Sequence, residues 1–229
     1  MAKALGRAGA RVALNFANNE ETAAKGFAEF EGEGLEGVMF RADVTDAEAV
    51  NRMCAEIADQ LGPVDIVIPN ATCDQPLKPI EEYDWDFYQA MLDFFVKSRY
   101  LLTRACLPHM KGQGWGRIIN IGTTAFTKGK VNFTAYVAAK GGQVGFSRSL
   151  ASELAPDGIT VNMVSPGFIP VERHESVPQE IKDAYVAKIP IGRWGVPDDV
   201  AGAVVFFASD ESSFITGQNI NINGGISIG

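Results

Sequence analysis

Short apolar runs rich in β-branched residues alternate along the chain with longer segments whose apolar residues recur every three or four positions. Arg11–Phe16, Gly37–Arg41, Val64–Pro69, Arg117–Ile121, Thr160–Val164 and Asn219–Asn223 read as strands. Several are nearly continuous apolar runs, as expected of strands buried on both faces. Between them lie helical patterns. Thr45-Asp-Ala-Glu48 has the form of a capping box, and Val50, Met53, Cys54, Ile57 and Leu61 follow at helical spacing. Further helices are expected from about Trp85 to Met110, from about Thr134 to Leu154, and from Pro197 to about Ser209. The alternation predicts an α/β fold: a doubly wound, mostly parallel sheet with helices on both faces. No linker or repeat interrupts it, so residues 1–229 are expected to form a single domain.

The chain opens inside a helical pattern, Ala2–Arg7, closed by Gly9, and a strand follows at once. That is the second half of a βαβ unit, without a preceding strand or G-x-G-x-x-G turn.

Composition narrows the function classes. Lys plus Arg is 20 against 28 Asp plus Glu, a net charge of −8. An acidic chain without a basic run disfavours nucleic acid and anionic membranes as partners. No apolar stretch approaches the roughly 18 residues of a transmembrane helix. The first residues lack the form of a signal peptide. Cys54, Cys73 and Cys106 are too dispersed for a disulfide framework, and with only His109 and His174 no metal site is expected. A soluble, reduced, cytoplasmic protein is expected.

The candidate chemistry centres on Tyr136-Val-Ala-Ala-Lys140. The i, i+4 spacing puts both side chains on one helix face. A neighbouring ammonium favours the phenolate, which suits Tyr136 to general acid/base work. Thirteen residues before Tyr136 lies Thr123, within Gly122-Thr-Thr124, just past a predicted strand. Asn70-Ala71-Thr72 and Pro166-Gly167 follow two other strands. Polar and turn residues thus recur at the carboxyl ends of strands, where such sheets build their sites.

In order and spacing these motifs resemble the short-chain dehydrogenase/reductase family, with its Rossmann-like fold, and most closely its β-ketoacyl-carrier-protein reductase-like members. Asp43-Val44-Thr45 looks like the adenine-contacting segment, and Asn70-Ala71 like the start of the Asn-Ala-Gly signature. The resemblance implies a ketone–alcohol oxidoreductase using NAD or NADP and a small carbonyl or alcohol substrate. Tyr136 would be the acid/base, Lys140 would lower its pKa and bind the nicotinamide ribose, and Thr123 would stand in for the family serine that polarises the carbonyl. Asp43, Val44, Asn70, Ala71, Tyr136, Lys140, Pro166 and Gly167 would contact the cofactor. Asn15-Phe-Ala-Asn-Asn19 has no acid before Glu20, which leans toward NADP. A homodimer or homotetramer is also implied, and the apolar ending from Ile220 is compatible with it.

The chain departs from the family pattern in several places. About 20 residues are absent at the amino end: the first strand, the glycine-rich turn and the start of the first helix. The strands flanking that position must pair with each other, acquire a strand from elsewhere, or leave a groove. Thr72 replaces the signature glycine, Phe95 falls on the tetrad asparagine, and Val171 on a nicotinamide-binding threonine. Two alternatives therefore stand beside the oxidoreductase: a cofactor-independent ester or lactone hydrolase with Thr123 as nucleophile and Tyr136/Lys140 as base, and a non-catalytic homologue. Cys73 and Phe94-Phe95 are expected to pack. Glu172, Arg173 and His174, in the loop matching the family's substrate segment, are expected on a solvated surface.

Overall fold

The structure, a computed structural model, describes residues 1–171 and 177–228. Six strands appear: β1 Val12–Phe16, β2 Gly37–Arg41, β3 Ile66–Val67, β4 Gly116–Ile121, β5 Ile159–Pro166 and β6 Asn219–Ile222. All pairings are parallel. The helices are α1 Ala2–Arg7, α2 Glu20–Glu31, α3 Ala47–Leu61, α4 Trp85–Leu92, α5 Ser98–Gln113, α6 Thr124–Lys128, α7 Thr134–Leu154, α8 Gln179–Val186 and α9 Pro197–Ala208. Each predicted strand is present. The predicted Val64–Pro69 shrinks to two paired residues, and among the described residues β3 has a strand neighbour only on its β4 side.

The sheet is split into β1-β2 and β3-β4-β5-β6. Of the outcomes open to it, the chain takes the groove. A cleft of about 650 Å³ runs between the two sheets, with Leu14 and Asn15 of β1 on one wall and Ile66 and Ile68 on the other. Hydrogen-bond parity shows which backbone groups face it. Val12 N–H donates to Glu36 O and Phe16 O accepts from Ala42 N–H, so the even-numbered β1 residues bond β2. Ala13 and Asn15 turn their backbone groups the other way. Arg117 N–H donates to Asp65 O, so Ile66 and Ile68 turn theirs away from β4.

The adjacent residues Ile118 and Ile119 serve opposite faces of β4, as the two-residue period requires. Ile118 packs with Val161, Leu154, Cys106 and Met110, between the sheet and α5 and α7. Ile119 packs with Val164, Val200, Val204 and Phe207 beneath α9, with Leu5 of α1 against the same cluster. A third cluster, Phe40, Met53, Ile57 and Leu61, closes β2 against α3.

Two helix expectations are corrected. The N-cap of α3 is Asp46, whose carboxylate accepts from Ala49 N–H at 2.8 Å. Thr45 lies one residue before that cap, and its N–H and hydroxyl both donate to Asp43 Oδ1, at 2.8 and 2.7 Å. The expected Trp85–Met110 helix is interrupted by a π-helical turn, Asp93–Lys97, between α4 and α5. Such turns concentrate at functional sites, and this one carries Phe95. Gly9 follows the α1 terminus with φ +94°, a conformation glycine adopts without strain. Among the described residues no helix is long and apolar enough to cross a membrane, and no His/Cys/Asp/Glu group could hold a metal ion.

Candidate active site

Helix α7 crosses the carboxyl end of β4, and two sets of buried polar contacts fix it there. Asn120 Nδ2 donates to Ser147 Oγ at 2.9 Å, and Ser147 Oγ donates to Gln143 O at 2.8 Å. One turn nearer the helix start, Lys140 Nζ donates to Ile121 O at 2.8 Å and to Gln143 Oε1 at 3.0 Å. Gln143 Nε2 donates to the same carbonyl at 3.2 Å. Lys140 is thus a buried ammonium on the β4 side of α7.

Tyr136 is half-buried among aromatic rings. Its ring meets Phe95 edge-on, with centroids 5.3 Å apart, and lies 4.6 Å from Phe133. The Lys140 ammonium is 5.8 Å from the Tyr136 centroid and 4.2 Å from that of Phe95. The chain thus brings Tyr136 and Lys140 together as their spacing predicts. The departure at Phe95 has a physical role: the ring that cannot hydrogen-bond lies against the ammonium as a π surface.

Thr123 caps α6, its Oγ1 accepting from Ala125 N–H at 3.1 Å. An accepting hydroxyl keeps its proton to donate. The preceding Gly122 is required by its neighbour, since an added Cβ would lie 2.3 Å from Ser165 Oγ. Asn70 and Ala71 are exposed at the end of β3 and line the intersheet cleft. Pro166 ends β5, and Gly167 N–H donates to Ile222 O at 2.9 Å. Asp43 is spent partly on Thr45, and Val44 is buried. Asn15 turns its amide onto Phe40 O and Ala42 O, bracing β1 against β2.

Of the remaining candidates, Cys73 packs in the cluster that holds Phe95 and Tyr136. Thr72 Oγ1 accepts from Gln75 Nε2 at 2.6 Å. Cys73 is half-buried, 3.9 Å from Met91 Sδ, and burial raises its thiol pKa. It packs, as expected. Val171 is exposed. Glu172, Arg173 and His174 lie outside the described residues.

Arg99 and Gln143 escaped the sequence reading. Their signal was positional: four residues after Phe95 and three after Lys140, each on the same helix face as its neighbour. The Arg99 guanidinium is buried and donates to Phe94 O, Ser98 Oγ and Pro69 O at 2.7, 2.9 and 3.1 Å. Burial lowers its pKa to about 10. Its Nε has no hydrogen-bond partner among the described residues, and the residue lines the cleft.

Parallel strands ending in an amide, a hydroxyl and a glycine turn, beside a tyrosine and a buried lysine, define a nucleotide-binding α/β enzyme site. The family model described as Enoyl-(Acyl carrier protein) reductase matches residues 1–227. The chain belongs to that family, within the short-chain dehydrogenases/reductases. It is 38% identical over 226 residues to Nodulation protein G of Azospirillum brasilense, covering 98% of this chain and 91% of that one. It is 36% identical over 224 residues to the 3-oxoacyl-[acyl-carrier-protein] reductase FabG of Staphylococcus aureus Mu50, covering 97% and 90%. A solved structure assigned as a gluconate dehydrogenase from Agrobacterium tumefaciens superposes with a TM-score of 0.93 at 29% identity, covering 100% of this chain and 90% of that one. The gluconate 5-dehydrogenase of Burkholderia cenocepacia J2315, solved with NADP and tartrate, gives 0.89 at 29% identity, covering 98% and 88%.

The chain is therefore an oxidoreductase of this family that uses NAD(P), and the hydrolytic and non-catalytic alternatives are not favoured. The donor set fits a dinucleotide, which carries hydroxyls, amides and phosphates. The Lys140 ammonium, the Thr123 hydroxyl and the exposed Asn70 amide surround the strand ends, and the unpaired Arg99 Nε borders the cleft that Asn70 and Ala71 line.

Proposed function

We propose that Tyr136 is the proton donor and acceptor of an NAD(P)-dependent interconversion of a ketone and a secondary alcohol. The observation that carries this reading is the placement of a buried Lys140 ammonium one helical turn from Tyr136, against the carboxyl end of β4. The cationic neighbour favours phenolate, so Tyr136 can give a proton to a developing alkoxide and recover it in the reverse direction. The Thr123 hydroxyl donates to the carbonyl oxygen as negative charge develops there. Lys140, Asn70, Ala71, Pro166 and Gly167 hold the nicotinamide end of the cofactor, and Asp43 and Val44 the adenine end. Bound NAD(P) supplies or accepts the hydride.

The reductases and dehydrogenases among the relatives support a small carbonyl substrate, and the 3-oxoacyl reductases favour a 3-oxoacyl thioester. Residues 1–229 act as one domain, in the cytoplasm, as a homodimer or homotetramer; light scattering giving a monomer mass would remove the assembly from this reading.

The test begins with NADPH and NADH titrations followed by nicotinamide fluorescence. Reduction of acetoacetyl-N-acetylcysteamine thioester is then measured in wild type and Tyr136→Phe. Saturable binding, with turnover lost in the variant and binding retained, is expected. Absent binding in a folded chain, or undiminished turnover in Tyr136→Phe, overturns the assignment.

A further inference from the structure

Lys140 is only 4% exposed. A buried ammonium is costly unless hydrogen bonds replace its water shell. The contacts described here come from groups without formal charge: Ile121 O at 2.8 Å, Gln143 Oε1 at 3.0 Å and the Phe95 ring at 4.2 Å. Gln143 is itself fully buried. A leucine of similar size would fill that space with no polar group to desolvate, so packing alone does not account for an amide there. Both ends of the amide are in use: Oε1 accepts from the ammonium, and Nε2 donates to the carbonyl that the ammonium also uses.

Phe95 is equally constrained. The π-helical turn carries it, and Phe94 and Tyr136 each meet its ring edge-on at 5.1 and 5.3 Å. The Arg99 guanidinium lies 5.4 Å from the same centroid. Two cations therefore share one ring, and the ring also touches the tyrosine.

We propose that Gln143 and Phe95 are positioning residues for the Tyr136–Lys140 pair: the amide aims the ammonium and the ring supports it. The proposal rests on the reading of that pair as the proton-transferring groups. The described titratable groups near the ammonium include Tyr136 on its own helix, Cys73 in the segment after β3, and Arg99 on α5, which shares the Phe95 ring with it. Gln143 Oε1 accepts from Lys140 Nζ at 3.0 Å while its Nε2 is anchored on the Ile121 carbonyl, a fixed acceptor that sets the direction of Lys140.

The test uses the whole chain labelled with 15N at the lysine Nζ, at mildly acidic pH, with Lys140→Arg identifying the signal. An ammonium held by hydrogen bonds exchanges its protons slowly and gives a resolved signal. Gln143→Leu is expected to speed that exchange about tenfold, which corresponds to losing one hydrogen bond to a charged group. Gln143→Glu keeps an oxygen acceptor in place and is expected to restore slow exchange. Phe95→Leu, which keeps an apolar side chain there, is expected to speed exchange by a smaller factor. In parallel, Gln143→Leu is expected to lower kcat for the acetoacetyl thioester about tenfold while leaving KM within about twofold, with Gln143→Glu recovering most of the loss.

A purely structural glutamine would lower the melting temperature of both variants without changing Lys140 exchange, and the buried glutamate would be the worse of the two. An unresolved Lys140 signal in the wild type, unchanged exchange in Gln143→Leu, or no recovery in Gln143→Glu overturns the proposal. The spectroscopic arm needs no turnover. Faster exchange in a chain whose turnover ignores Tyr136→Phe supports the seat and removes the catalytic reading; Tyr136-dependent turnover with unchanged exchange does the reverse.

Discussion

Lys140 Nζ and the Ile121 carbonyl meet at 2.8 Å, joining the second turn of α7 to the last residue of β4. The bond places a cation where the strand stops and the Gly122-Thr123 turn begins. Helix, strand end and turn are therefore positioned as one unit.

Thr123 caps α6 and is the proposed carbonyl-polarising group, and substitution can separate the two. Thr123→Ala removes the hydroxyl on which both depend. It is expected to lower kcat for the acetoacetyl thioester about 10²-fold and to reduce stability by about 1 kcal/mol. Thr123→Ser keeps the hydroxyl and is expected to retain both activity and melting temperature. Steady-state kinetics and thermal unfolding of the two variants check this.

Ser147 satisfies a buried amide. Asn120 Oδ1 already lacks a partner, and its Nδ2 bonds only Ser147 Oγ among the described contacts. Ser147→Ala leaves the whole side-chain amide unpaired. The expected cost is about 1–3 kcal/mol, a fall of roughly 2–4 °C in Tm per kcal/mol for a chain of this size. Differential scanning calorimetry measures it.

Gly122 and Ser165 should be energetically coupled. Gly122→Ala drives a methyl into Ser165 Oγ, which itself donates to Asn219 Oδ1 at 2.6 Å. A destabilisation of about 1–3 kcal/mol is expected. Ser165→Ala removes the obstructing oxygen, so the double variant is expected to lose less than the sum of the singles. Additive losses in a denaturant cycle would show that the strands part elsewhere.

The split sheet predicts an alternating exchange pattern. The Ala13 and Asn15 amides face the cleft, whereas Val12 and Leu14 donate to β2. Ala13 and Asn15, with Ile66 and Ile68 of β3, are expected to exchange well ahead of Val12, Leu14 and the central β4 and β5 amides. Residue-resolved hydrogen exchange by NMR reads this directly.

Asp199 makes the start of α9 acid-sensitive. Hydrogen bonding from Arg193, at 2.7 and 2.8 Å, and then from Val196 N–H holds its carboxyl well below the ordinary 3.8. A carboxyl depressed in the folded state contributes stability above its unfolded pKa and loses that contribution as pH falls through the folded one. The Tm advantage of wild type over Asp199→Asn is therefore expected to hold above about pH 5 and to shrink as pH falls below about 4. Because the carboxyl is solvent-screened, the advantage itself is expected to be small.

Local pattern was enough for the elements and for bringing Tyr136 and Lys140 together. Strand positions followed from apolar runs that must be buried on both faces, as Ile118 and Ile119 show on β4. Tyr136 and Lys140 were legible because four residues of helix bring side chains onto one face whatever surrounds them. The α3 cap at Asp46 rather than Thr45, and the π-helical turn at Phe95, were not legible, because several local geometries compete there and packing selects one.

Long-range relations were decided by tertiary structure alone. Sequence left three outcomes open for the strands on either side of the sheet gap; in the folded chain α1 touches both β1 and α9, and α3 touches both β1–β2 and α5, so helices bridge the two sheets and a cleft remains between them. Gln143 and Arg99 carry no motif, and each gains its role from a partner set by the folded chain: the Ile121 carbonyl that Gln143 shares with Lys140, and the Phe95 ring that Arg99 shares with it. Period and spacing act along the chain, so sequence determines them, whereas the burial that makes an ammonium need an amide and a ring exists only after the layers have closed.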